Sequence, residues 1–417
     1  MTPLVATQHA SPVPAGVLYE PFTYVLLGPL SSVLDAFTLM SPSQGWAMLA
    51  TAVLVSAAIK LYLRRAAVRR GEPARTGFRD AVLFVVRAFV VTIAIGELLV
   101  AAPRPMASLK LRDEDVLAVD FHSHTSESHD GRPGFDVERN REWQRQAGFD
   151  VGYITDHRTF NAALLARQRN PEVAGDGTVL LPGIELRDGA EHDIVLGADP
   201  MRSTIPSPDI RDAVLIAEDA GVSPVVVRAM PAGDRIGDWT SSAQGINVAA
   251  IEISDASPRG LEQTSRDAAR IDALCQTGNV ACVSGSDNHG WSRTPAAWSV
   301  IRIPHWRDKS PAALDLAIRQ AMTAKSPDNI QVLMRRRAPP AGSNLGIAVS
   351  GIAVALVMFR TLDWPMRISW IVWPWTLVAL MAVRKREILL VTYARERLLQ
   401  PLALRAFPRP ESRSDVS

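Results

Sequence analysis

The 417-residue sequence sets six of its eight histidines, His122, His124, His129, His157, His192 and His289, at or just beyond the end of a short apolar run. Each has an acidic residue within a few positions. Imidazole mixed with carboxylate is a donor set for zinc, manganese or iron(II), and scattered surface histidines do not repeat such a placement. His122 and His124 stand two apart in "VLAVDFHSH", so on a strand both rings point to one face and can grip one ion. Asp287 and His289 in "SGSDNHG" repeat that spacing. Asp130 follows the turn-like Ser128-His129 and either supplies a carboxylate or positions His129. Asp156-His157 ends a second run. Glu185 ends a third, and its two oxygens can bridge two ions; His192 follows seven residues later.

These side chains need strands whose ends converge. The middle of the chain offers "VLAVDFHSH", "FDVGYITDH", "TVLLPGIEL", "SPVVVRAM", "VAAIEIS" and "VACVSGSD". Helix-like stretches, such as 210–220 and 260–276, lie between them. Repeated strand-then-helix units predict a parallel α/β sheet or barrel with its chemistry at the C-terminal strand ends. Glu252 and Asp255 end one run and are candidates to orient ligand histidines. The net charge of +2 gives no global basic field and so no nucleic-acid signal. Cys275 and Cys282 are too few for a disulfide framework and are expected to pack as small apolar residues.

The apolar residues crowd into both ends. Residues 46–63 and 81–102 read as membrane spans, and 22–40 as a span or re-entrant segment. Residues 345–359 and 368–383 are two further candidates, with Trp364, Trp370, Trp373 and Trp375 as interfacial anchors. The expected organisation is a membrane region over 1–112 with two to three spans, a soluble domain over 113–332, and a second membrane region over 333–417 with about two spans and a basic tail. Such a chain is a multi-pass protein of a bacterial plasma membrane. The loop holding Lys60, Arg64, Arg65, Arg69, Arg70, Arg75 and Arg79 is cytoplasmic by the positive-inside rule, which puts the middle domain outside. Arg335 to Arg337 and Arg384-Lys385-Arg386 argue the opposite, so one apparent span is expected to be a half-span or to lie at the interface.

"DFHSHTSESHDG" resembles the first motif of the PHP (polymerase and histidinol phosphatase) superfamily. "ITDHRTF" is similar to its second motif, "PGIELRDGAEHDIVLG" to its third and "SGSDNHG" to its last. The resemblance implies a distorted (β/α)7 barrel, here flanked by transmembrane helices, with up to three divalent ions. It implies one ion held by His122, His124, Glu185 and Asp287. A second shares Glu185 and takes His192, and a third takes Asp130 or His129 with His157 and His289. Met230 stands where the family has a histidine of the second site, and a thioether is a poor ligand for such ions. The implied activity is metal-assisted hydrolysis of a phosphoester, on a phosphorylated small molecule or envelope component. Asp287 and His289 are the candidates to move protons, and Arg228 is the candidate to bind phosphate. Arg158, Arg187, Arg259 and Arg293 are further arginines near motif ends. A metallohydrolase of another ester or amide bond, and a non-catalytic binding or sensing domain, are the alternatives.

Overall fold

The computed structural model describes residues 4–6, 16–71, 78–101, 104–188, 191–197, 209–219, 223–229, 246–276, 280–291, 294–324, 329–335 and 347–403. Met230, Arg293 and Arg75 lie outside these. The chain forms two units, 1–363 and 364–417.

In the first unit, β1 (Leu4–Ala6) belongs to a ten-stranded mixed sheet, while β2 (Val17–Tyr19) and β3 (Ser108–Lys110) make a separate ribbon. The other sheet strands are β4 (Val116–Ser123), β5 (Val151–Ile154), β6 (Val179–Asp188), β7 (Glu191–Leu196), β8 (Val225–Ala229), β9 (Ala250–Ser254), β10 (Ala281–Ser284), β11 (Ala297–Arg302) and β12 (Ile330–Arg335). Their order is β1-β12-β11-β4-β5-β6-β7-β8-β9-β10. The seven strands from β4 to β10 curl into a nearly closed barrel. Beyond β10, the Ser286 and Asp287 N–H groups donate to the His122 carbonyl (3.1 and 2.8 Å), and Ser123 and Asn288 form a parallel bridge.

The expected all-parallel order is corrected at β7, which runs antiparallel to both β6 and β8. Only two residues separate β6 from β7, and so short a connection makes a hairpin rather than a crossover. Strand alternation sorts the core into two layers. Leu181, Ile194, Val225, Val227 and Val283 pack inside the barrel. Leu180, Val195, Val226, Ile251 and Ile253 pack outside. There they meet α6 (Asn161–Gln168), α7 (Ile210–Asp219) and the helices after β9 through Ala163, Ile210 and Ile271.

The helix expected over 260–276 is two helices, α8 (Pro258–Arg266) and α9 (Ala268–Gln276), meeting at Asp267. Ser257 caps the first by accepting from the Gly260 N–H, with Pro258 at its first position. Cys275 and Cys282 form a disulfide, which corrects the reading of two independent thiols. Segment 22–40 is not one span: α1 (Phe22–Leu26) and α2 (Gly28–Thr38) are too short to cross a bilayer. Inside this pair Asp35 is buried and meets Tyr24 Oη (2.7 Å), Arg104 Nε (3.1 Å) and Arg335 Nη1 (2.9 Å).

α3 (Pro42–Arg69) is long and apolar enough to cross a membrane. α4 (Phe78–Ala101) is apolar over Val82–Ala94. Against α3 packs α11 (Ile347–Thr361), which follows α5 (Val137–Ala147) and α10 (Pro311–Thr323) in the chain. A Cβ on Gly351 would stand 2.3 Å from Thr51 Oγ1, so the missing side chain is what lets α11 approach. The second unit is α12 (Trp364–Ala403), whose stretch Trp364–Glu387 is also long and apolar enough to span.

Candidate metal centre

His122 ends β4, and the chain turns so that His124 follows on the same side, its Nε2 2.9 Å from that of His122. Glu185 comes from β6, on the inward face with Leu181. Its Oε2 lies 3.0 Å from His122 Nε2 and 3.1 Å from His124 Nε2. Asp287 Oδ1 lies 3.4 and 3.3 Å from the same two nitrogens. The Glu185 and Asp287 oxygens thus each face both imidazole nitrogens, and His122, His124 and Glu185 form a compact three-donor group. Three donors roughly 3 Å apart leave room for an ion about 2 Å from each, the bond length zinc makes to imidazole nitrogen and carboxylate oxygen. Asp287 adopts a left-handed backbone (φ 47°), a conformation aspartate tolerates better than most residues, to aim its carboxylate there.

The second half of the cluster surrounds the same glutamate. His157 Nδ1 is 3.3 Å from Glu185 Oε2, and His192 Nδ1 is 2.6 Å from Glu185 Oε1. The hairpin explains His192: it faces Arg187 across the ladder and sits diagonal to Glu185 on one face. Asp130 reaches across to His289 Nε2 (3.1 Å) and His157 Nε2 (3.5 Å). His129 is the outermost, with its ring 5.0 Å from that of His157. The structure therefore gathers all nine sequence-selected donors into one contiguous cluster.

Polar groups behind the donors hold them. Glu252 Oε2 is 3.0 Å from His122 Nδ1 and entirely buried, so His122 Nδ1 donates there and Nε2 is the nitrogen turned to the centre. Gly285 permits this, since a Cβ would stand 2.2 Å from His122 Cβ and 2.3 Å from Glu252 Oε1. Asp156 is not turned to the centre; it accepts from Thr125 N–H (2.6 Å) and Oγ1 (2.7 Å) and fixes the turn after His124. Asp120 ties strand to loop by accepting from Ser286 N–H (2.7 Å), Ser286 Oγ (2.6 Å) and Gln144 Nε2 (2.6 Å). Asp255 accepts from Ser257 and is pushed up by burial, with Glu252 and Asp287 adding to it.

The donor set fits cations and little else. His289 Nδ1 is 3.0 Å from the Asp287 carbonyl oxygen and must donate to it. That tautomer leaves its Nε2 facing the Asp130 carboxylate as a buried atom with no hydrogen-bond partner. Lone pairs so close repel unless a proton or a metal ion lies between them. Burial opposes charge on His124, but hydrogen bonds to Asp287 and Glu185 outweigh it and raise the ring to about 9. On His122 burial is likewise overcome, by Glu252, Glu185 and Asp287, and the ring is raised well above its ordinary value. Burial wins at His157, which falls to about 4 and presents a neutral ring at pH 7.

Arg228 is the correction. It shares the outward face of β8 with Val226, away from the centre. It is 2 % exposed and forks onto Asp193 (2.5 and 3.1 Å), with Asp188 at 3.4 Å. Its guanidinium is committed to buried carboxylates and does not line the cavity. A cavity of about 440 Å³ opens beside the cluster and is lined by His129, His157, Arg158, Glu185, Arg187 and His192. Arg259 instead pairs with Glu191 at 3.3 Å.

No family model and no curated protein sequence matches the chain. Among solved structures, PsfC from Pseudomonas syringae is similar at 17 % identity with a TM-score of 0.36, over 59 % of this chain and 99 % of its own. A two-domain protein from Bacteroides vulgatus, described as containing a predicted PHP-like metal-dependent phosphoesterase, gives 15 % and 0.36 over 56 % and 70 %. The lesion-specific endonuclease Q of Pyrococcus furiosus gives 13 % and 0.36 over 52 % and 57 %. Similarity at this level carries no argument about the reaction, which has to be read from the donors themselves.

Proposed function

We propose that this chain is a membrane-anchored, metal-dependent phosphoesterase of the PHP type. The observation that carries the reading is Glu185, a buried carboxylate with four imidazole nitrogens within 3.3 Å of its two oxygens. His122, His124, Glu185 and Asp287 would hold one ion, and Glu185 would share a second with His192. Asp130 rather than His129 would complete a third with His157 and His289, because it faces both rings. Bound there, divalent ions neutralise phosphoryl oxygens and make water acidic. The chain's own part is to hold the donors: Glu252 fixes the His122 ring, and the Asp287 carbonyl fixes the His289 tautomer. Asp287, through the carboxylate oxygen not given to the ion, would be the group that passes a proton to the departing oxygen, and His289 would steady the loop that carries it.

Two features support a barrel on the extracytoplasmic side. The Ser43 N–H at the start of α3 donates to Glu262 Oε2 on α8 (3.0 Å), so the barrel lies at the N-terminal end of that helix. Arg64, Arg65, Arg69 and Arg70 crowd its other end, the end that stays in the cytoplasm. The buried Cys275–Cys282 disulfide suits an oxidising compartment. Arg335, which argued for the opposite side, is a strand residue paired with Asp35 and anchors no loop. An envelope phosphoester is then the accessible substrate.

The test uses the full-length protein in detergent, with metal analysis and a panel of phosphomonoesters and diesters under added Mn²⁺ or Zn²⁺. Metal binding with phosphoester turnover is expected. Failure to bind either ion sinks the reading, and metal binding with turnover of amides alone moves it to another hydrolase class. In intact cells an impermeant thiol reagent should label Glu142→Cys on α5; labelling only after lysis would put the barrel inside.

A further inference from the structure

The cavity beside Glu185 is lined by His129, His157, Glu185 and His192 together with two arginines, Arg158 and Arg187. Different strands place them there. Arg187 follows Glu185 by two in β6, so alternation sets it on the inward face, opposite His192 in the ladder. Arg158 comes directly after His157. Its N–H donates to the Glu185 carbonyl (3.2 Å), and the His157–Glu185 bridge fixes the peptide beside β6. Its backbone is left-handed, φ 58°, a region that costs an arginine strain and would cost glycine none. A long cation kept where glycine fits better is a mark of use. Both side chains are exposed at the cavity, unlike Arg228.

We propose that Arg158 and Arg187 form a two-guanidinium clamp that grips a terminal phosphoryl group beside the metal donors, and so select phosphomonoesters. The inference rests on the phosphoesterase reading above. A guanidinium presents paired N–H groups that match phosphate oxygens. A terminal phosphate has three unesterified oxygens and a charge of roughly −1.5 to −2 near neutral pH. A diester has two such oxygens and a single charge, too few to engage both arginines and the ions together. The cavity volume of about 440 Å³ is that of a small-molecule site, which suits a phosphate at the end of a compact group.

The experiment uses full-length, Mn²⁺-loaded protein with para-nitrophenyl phosphate, its bis-ester, and inorganic phosphate followed by thermal shift. Arg158→Ala and Arg187→Ala should each raise the monoester KM and weaken phosphate binding about tenfold or more, with kcat and the diester KM changed much less. Arg158→Gly should lose phosphate equally while keeping or raising the melting temperature, which separates lost recognition from lost folding. Wild-type phosphate affinity in both alanine variants overturns the clamp, as does a diester KM that rises as much as the monoester KM. A wild-type protein that hydrolyses neither ester defeats the phosphoesterase reading instead.

Discussion

His122, His124 and Glu185 stand at strand ends and are at most 3 % exposed, whereas the side chains of His129 and Asp130, on the loop after them, are 78 % and 45 % exposed. The buried half is braced from behind by Glu252 and Asp120; the outer half has solvent behind it. A braced, desolvated donor set is pre-organised for its ion, while an exposed set must order itself on binding. The buried group is therefore expected to bind an ion the more tightly, and the Asp130 side to exchange first.

The sharpest way to break this comparison is Glu185→Gln, which weakens the donor shared by both halves. It should lower kcat/KM by at least about 1,000-fold with loss of bound metal, and retention of either would dissolve the bridging role. Arg228→Ala tests the outer face of the barrel instead. Leaving Asp193 and Asp188 buried without their cation should cost roughly 3–5 kcal/mol in denaturant unfolding, with kcat/KM of the folded protein close to wild type. A selective loss of turnover at unchanged stability would return Arg228 to the site. Glu252→Ala frees the His122 ring and should reduce metal affinity about 10–100-fold, measured by chelator competition.

pH gives the next effect. In the metal-free protein His124 titrates at about 9 rather than 6.5. The stability its proton confers is full below about 6.5 and is lost as pH rises through 9. A metal must displace that proton, so affinity should climb with pH up to about 9, by roughly tenfold per unit for each proton released. Calorimetry in buffers of different ionisation enthalpy counts the protons; none released would contradict the assignment. His129→Ala should be the mildest, below about tenfold in kcat/KM and recovered by extra Mn²⁺, since Asp130 keeps the stronger position.

The clustering of these histidines and carboxylates was legible because its signal is local. A two-residue step between His122 and His124, or Asp287 and His289, means one face on any strand. Arg228 was misread because "VVVRA" is buried on both faces, and a uniformly apolar strand hides which residues point inward. His192 was found by type, but its route to Glu185 needed the reversal at β7. Glu252 reaches His122 across 130 residues, and no pattern in the sequence announces that contact. The disulfide was missed because two cysteines seven apart give no framework, and only α9 running back along β10 brings them together.

The knot at Asp35 reaches further than its three bonds. It fastens Arg104, at the exit of the α3–α4 hairpin, and Arg335, 300 positions downstream on β12 of the same sheet, to one carboxylate. β1 adds residues 4–6 to the same edge, pairing Leu4 with Arg335. The barrel is thus not a bead threaded between independent helices. Ending it at residues 113 and 332 would cut β12, remove Arg335 from Asp35 and bare a sheet edge, so the barrel and the helices before it fold as one piece.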